Sequence, residues 1–184
     1  PIFPEKAVLS DEILKSIGNP NQKLIGIAPF AQYESKVYPL DLMQEVISKL
    51  AVNQDQTILL FGGGKKETEL LDAFAKPFGN VINVAGKIKF TQELQLISNL
   101  DVMLSMDSGN AHIAAMLGVK VITLWGATHP YAGFSPFNQP IENALVADRN
   151  LFPKLPTSVY GNKKVEGYED AMRTILPEEV VAKL

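Results

Sequence analysis

The chain has 184 residues, of which 46% are hydrophobic and 20% charged, ordinary usage for a globular domain. A chain of this length buries roughly 70% of its extended surface around one core, so it needs neither a disulfide nor a metal staple. The absence of cysteine excludes disulfide scaffolds, thiolate zinc sites, iron–sulfur clusters and cysteine nucleophiles. Seventeen Lys and Arg against twenty Asp and Glu, a net charge of −3, leave no broad cationic face for nucleic acid or anionic lipid.

No apolar run approaches the ~20 residues of a membrane span, and no signal-peptide pattern is present. Composition thus fits a soluble, single-domain, cytosolic protein. The sequence opens Pro1-Ile2-Phe3-Pro4 without Met, so the expectation is a processed protein or a part of something longer.

In chain order, Asp11 to Ile17 reads as a short helix. Leu24 to Ala28, ended by Pro29, reads as a buried strand. Leu40 to Val52 carries Leu42, Val46, Ile47 and Leu50 at helical spacing, with Pro39 suited to the helix start. Thr57 to Phe61 is a second strand, closed by Gly62-Gly63-Gly64, and Lys66 to Lys76 a helix stopped by Pro77. Val81 to Val84 is a third strand. Thr91 to Asn99 is a short helix with Thr91 as its N-cap.

Asp101 to Ser105 is a fourth strand, and Gly109 to Leu117 an Ala-rich helix ended by Gly118 in a left-handed cap. Val119 to Leu124 is a fifth strand, with a further strand near Ala144 to Val146. Helices are expected over Val165 to Ile175 and from Glu178 onward. Five strand–helix alternations with nearly continuous apolar strands predict an α/β, Rossmann-like parallel sheet covered by helices on both faces.

In such sheets ligands bind beyond the carboxyl ends of the strands. Two phosphate loops are rejected there. Gly62-Gly63-Gly64-Lys65-Lys66-Glu67 lacks the third glycine of the dinucleotide fingerprint, and Gly64-Lys65-Lys66 does not complete a P-loop. The triple glycine reads as a tight strand-to-helix turn or as a place where a ligand approaches the backbone. No G-x-S-x-G nucleophile elbow occurs, and His112 and His129 have no metal-ligand spacing. Trp125, Tyr131, Phe134 and Phe137 read as core or loop packing.

The sharpest feature is Asp107-Ser108-Gly109-Asn110-Ala111-His112, where a strand gives way to a helix. The first turn of that helix offers free backbone N–H groups and the positive end of its dipole, a ready anion site. Gly109 permits close approach, Ser108 adds a hydroxyl donor, and His112 follows one turn on. The alternative is an Asp or Ser N-cap with a buried, satisfied histidine. Lys36 lies in a loop at the same sheet end, where it either reaches a pyrophosphate or is solvated.

The run Met106-Asp107-Ser108-Gly109-Asn110-Ala111-His112-Ile113-Ala114-Ala115, continued by Leu117 to Pro130, resembles the signature of glycosyltransferase family 9, the bacterial heptosyltransferases of lipopolysaccharide core assembly. Lys36-Val37-Tyr38-Pro39 is similar to that family's K-x-[WY]-P loop, and the closing segment from Ala171 resembles its last helices. The resemblance spans about Lys23 to Leu184. It implies the GT-B fold, two Rossmann-like domains facing across a cleft, with residues 1–184 forming one nucleotide-sugar-binding domain, the carboxyl-terminal half.

By the same resemblance Lys36 contacts the donor phosphates, Ser108, Gly109 and the helix start cradle the pyrophosphate, and His112 lies nearby. Asp107 faces the donor sugar hydroxyls, Glu67 grips the ribose, and the backbone around Ile88 meets the base. Ala31 and Gln32 stand where some members have hydroxyl residues, and the Glu67 correspondence crosses a variable loop. The implied donor is ADP-heptose or another nucleoside-diphosphate sugar, without a metal. The implied acceptor is lipopolysaccharide or another glycan, reached through the other domain, which would also carry the base. The implied location is cytoplasmic, peripheral at the inner membrane face. The fragment alone is then expected to bind and not to turn over. Two other readings stand beside it: half of another GT-B enzyme such as a nucleotide-sugar epimerase, and a non-catalytic nucleotide-binding module.

Overall fold

The computed structural model describes residues 2–184. Six parallel strands form one sheet: β1 (Lys23–Ala28), β2 (Gln56–Leu60), β3 (Val81–Asn83), β4 (Val102–Met106), β5 (Lys120–Trp125) and β6 (Ala144–Val146). Their spatial order is β3-β2-β1-β4-β5-β6, with every neighbouring pair parallel. The helices are α1 (Asp11–Ile17), α2 (Leu40–Ala51), α3 (Gly64–Ala75), α4 (Phe90–Ile97), α5 (Gly109–Met116) and α6 (Pro177–Val181). The Rossmann-like expectation is met.

The alternation of side chains along each strand builds two cores. Ile25 and Ile27 of β1 join Ile58, Leu60, Leu104 and Ile122 beneath Met43, Val46, Ile47 and Leu50 of α2. Leu24, Leu59, Met103 and Val121 face the other way, against Ile13 and Ile17 of α1, Leu96 and Ile97 of α4 and the alanines of α5. Each buried aliphatic side chain contributes about 1.5–3 kcal/mol, so the sheet is held from both faces. In β1 a side chain at Gly26 would come within 2.5 Å of Leu100 Cδ1, which explains a glycine inside a central strand.

Two expectations are corrected. Val165 to Ile175 is not a helix; only a 3₁₀ turn forms, over Ala171–Thr174. Gly167, before that turn, has φ +81°, and the apolar residues of the segment form an irregular wall, with Tyr168 edge-on to Phe152 at 5.1 Å. Nor does Thr91 cap α4. The N-cap is Lys89, whose backbone N–H donates to Gln92 Oε1 at 2.9 Å, and Thr91 sits in the first turn. Gly118 does take the left-handed conformation after α5, at φ +79°. No helix among the described residues is long and apolar enough to cross a membrane.

Candidate functional site

The direction of chain propagation reverses between β1 and β4, which lie side by side with Ala28 opposite Ser105. Crossovers leave these two strands to opposite sides, so a crevice opens beyond their carboxyl ends. Topology thus brings together the loop after β1, which carries Lys36, and the segment after β4, which carries Asp107 and Ser108.

Lys36 closes a 3₁₀ turn, Glu34–Lys36. Its ammonium lies 2.9 Å from Asp107 Oδ2, with the two side chains only 13% and 5% exposed. The Thr128 hydroxyl donates to the same oxygen at 2.9 Å. The Lys36 ammonium also lies 5.8 Å from the centre of the Tyr33 ring. The next turn of the motif is anchored by Tyr38, whose fully buried hydroxyl donates to the Ile175 carbonyl at 2.6 Å. Burial holds the Tyr38 phenol well above its ordinary titration range, with the Glu45 and Glu178 charges adding to the effect.

At the head of α5, Ser108 occupies the N-cap position in an extended conformation, yet its side chain makes no capping bond. Its hydroxyl pairs instead with the buried Ser105 hydroxyl at 3.0 Å. The Asp107 carboxylate is turned to Lys36 and Thr128. The motif is therefore not a side-chain helix cap; the Ala111 N–H donates to the Ser108 carbonyl at 3.2 Å, and the Gly109 and Asn110 N–H groups are left as donors. Gly109 has open space where a Cβ would stand. His112 follows one turn later and is half-buried, not a buried core histidine.

Glu67 does reach the same sheet end. Its carboxylate accepts from the Gly63 N–H at 2.8 Å. With Phe30, Ala31, Gln32, Gly62, Gly63 and Asn110 of α5, it lines a cleft of about 260 Å³. Gly64 turns the chain there at φ +79°, so the triple glycine makes a tight turn and also shapes this cleft. Ile88 is not brought into its lining; the side chain packs against the core under α4 and α5. Of the aromatics, Trp125 is core, whereas Tyr131 and Phe137 are mostly exposed.

Ser105 and Gly161 escaped the sequence reading, and Thr128, inside the signature run, was given no role there. Thr128 stands in the loop after β5, the one place where a hydroxyl could have been suspected. Gly161, 125 positions beyond Lys36, carries no local signal.

Residues 6–163 match the family model of Glycosyltransferase family 9 (heptosyltransferase). The chain belongs to glycosyltransferase family 9. It is 27% identical over 166 residues to the lipooligosaccharide heptosyltransferase 2 of Haemophilus influenzae, covering 88% of this chain and 46% of that protein. Its fold matches the Escherichia coli ADP-heptose lipopolysaccharide heptosyltransferase II with a TM-score of 0.66 at 23% identity, covering 88% of this chain and 45% of the other. The E. coli heptosyltransferase WaaC with ADP matches at 0.63 and 19% identity, covering 90% and 47%. The chain spans about half the length of the curated relatives it matches. The family expected from the D-S-G-x-x-H block and the Rossmann-like fold expected from the strand–helix alternation are thus borne out.

Proposed function

We propose that this chain is the donor-binding half of a family 9 glycosyltransferase, taking a nucleoside-diphosphate sugar, ADP-heptose by preference, for transfer to a lipopolysaccharide-type acceptor. The observation that carries the reading is the uncapped head of α5 beside Lys36 at the strand-order reversal. Backbone N–H groups and a held ammonium converging on one crevice are what a diphosphate requires. The relatives' names support heptose as the sugar, and the names of the E. coli neighbours, one an ADP-heptose heptosyltransferase and one with ADP, support ADP as the nucleotide.

The chemistry follows from charge. The acceptor hydroxyl attacks the anomeric carbon as the bond to the diphosphate oxygen breaks, and the nucleoside diphosphate departs with the bonding pair. Lys36 and the α5 amides stabilise the charge growing on that leaving group. Both bonds to Asp107 fall on Oδ2, so Oδ1 is the oxygen free to accept from a sugar hydroxyl. The reading assigns Glu67, in the cleft lining, to the ribose hydroxyls, and the backbone around Ile88, whose side chain lies outside that lining, to the base. Ser108, Gly109 and His112 border the diphosphate. The acceptor's proton passes to a base outside this chain, and the reaction runs at the cytoplasmic membrane face. A folded chain that binds nucleotide without turning over is the outcome this reading gives for residues 1–184 alone.

Calorimetric titration with ADP, UDP and GDP tests it. ADP binds selectively, and Lys36→Ala and His112→Ala each weaken it, Lys36→Ala by about tenfold or more. A folded chain that binds none of the three, or a Lys36→Ala variant that binds like the parent, overturns the reading.

A further inference from the structure

Thr128 follows β5 and is 2% exposed. Its hydroxyl and the Lys36 ammonium share one acceptor, Asp107 Oδ2, each at 2.9 Å. Its methyl faces Gly161, where an added Cβ would lie 3.0 Å from Thr128 Cγ2, 2.8 Å from Lys36 Cε and 3.1 Å from Lys36 Cγ. The Gly161 segment is tied down on both sides. Ser35 Oγ donates to the Gly161 carbonyl at 2.5 Å, and the Thr157 N–H donates to the Ala127 carbonyl at 2.9 Å. The stem of Lys36 therefore runs through a slot between Thr128 and the bare backbone of Gly161, with its ammonium 5.8 Å from the centre of the Tyr33 ring.

We propose that Thr128, with Gly161 closing the slot, is a positioning residue that sets the Lys36–Asp107 pair in place before a donor arrives. This rests on the donor-site reading above. A lysine stem is rich in rotamers, and ordering it at the moment of binding weakens affinity. A site ordered in advance avoids that loss. The Thr128 hydroxyl also selects which carboxylate oxygen faces Lys36, and so which is left for the sugar. A Cβ at 161 would crowd the Lys36 stem and the Thr128 methyl, and φ there is +74°, a conformation that favours glycine.

Two readouts test this, one needing no nucleotide. Thr128→Val removes the hydroxyl at nearly constant volume, and Thr128→Ser keeps it; Thr128→Ala replaces the valine variant should that one not fold. ADP affinity is measured by calorimetry, and acylation of Lys36 by an amine-reactive ester is followed by mass spectrometry, with the 91% exposed Lys65 as internal reference. Thr128→Val binds ADP about tenfold more weakly and its Lys36 is acylated about threefold faster, while Thr128→Ser stays within about twofold of the parent in both.

Parent-like binding and acylation in Thr128→Val overturn the proposal. So does a serine variant as impaired as the valine one, which would make Thr128 a packing residue only. Lys36→Ala in the same titration separates the two ideas. If it binds ADP like the parent, the donor-site reading fails while the acylation rates still decide whether Thr128 holds Lys36. If it binds weakly and Thr128→Val does not, the donor site stands and the positioning role falls.

Discussion

Lys36 Nζ and Asp107 Oδ2 lie 2.9 Å apart although 71 positions separate them, because β1 and β4 are neighbours at the reversal of strand order. Both side chains are largely withdrawn from water. In that setting removing one partner leaves the other charge buried, whereas removing both relieves the cost. Lys36→Met and Asp107→Asn are therefore each expected to lower stability by about 1–3 kcal/mol, with the double variant costing less than the sum by about 1 kcal/mol or more. Urea unfolding of the four proteins measures the coupling. Strict additivity would show that the pair is not linked in solution.

Tyr38 explains why an aromatic residue stands between Lys36 and Pro39. Its ring fills the core under α2 while its hydroxyl satisfies the Ile175 carbonyl. Tyr38→Phe keeps the ring and orphans that carbonyl, so stability falls by about 1–2 kcal/mol. The midpoint of urea unfolding moves while its slope does not. An unchanged midpoint would mean that water replaces the hydroxyl.

Glu93 stands in the first turn of α4, half-buried, and burial raises its carboxyl above the usual carboxylate range. The helix start favours the charge, but withdrawal from water outweighs it. The folded state thus keeps a proton that the unfolded chain has already released. This stabilising contribution is whole below the unfolded value near 4.5 and is lost as pH rises through the folded value. Glu93→Gln, neutral at every pH, is expected to raise Tm at pH 7 by about 1–2 °C and to leave it unchanged at pH 3.5. Thermal melts at the two pH values check it; a lower Tm at pH 7 would contradict the sign.

The periodic parts of the fold were legible because their apolar spacing has one cause. β1, β2, β4 and β5 are nearly continuous buried runs, covered on both faces, while α2 and α3 bury one face at helical spacing. The segment from Val165 to Ile175 has helix-like spacing for another reason: Tyr168, Ala171, Met172 and Ile175 pack down from an irregular strap pinned elsewhere, as where the Lys154 N–H donates to Tyr168 Oη at 3.0 Å. Of the candidate site, Lys36 and the Asp107–His112 run could be suspected because each stands at a strand end. The Thr128 hydroxyl bond and the Gly161 contact could not be read, since they depend on side-chain directions set by the packed structure.

Gly109 separates binding from folding most cleanly. It opens α5 without a left-handed φ, and a Cβ there meets nothing within 4 Å. Alanine suits a helix better than glycine, so Gly109→Ala is expected to leave stability unchanged or raise it by about 0.5 kcal/mol. The same methyl stands where the diphosphate of the proposed donor must approach the backbone. ADP binding is therefore expected to weaken by about tenfold or more in a protein that melts no lower than the parent. Calorimetry and a thermal melt on one preparation make the comparison. Undiminished binding would move the diphosphate away from the head of α5, and a lowered melting temperature would show that Gly109 is held by packing.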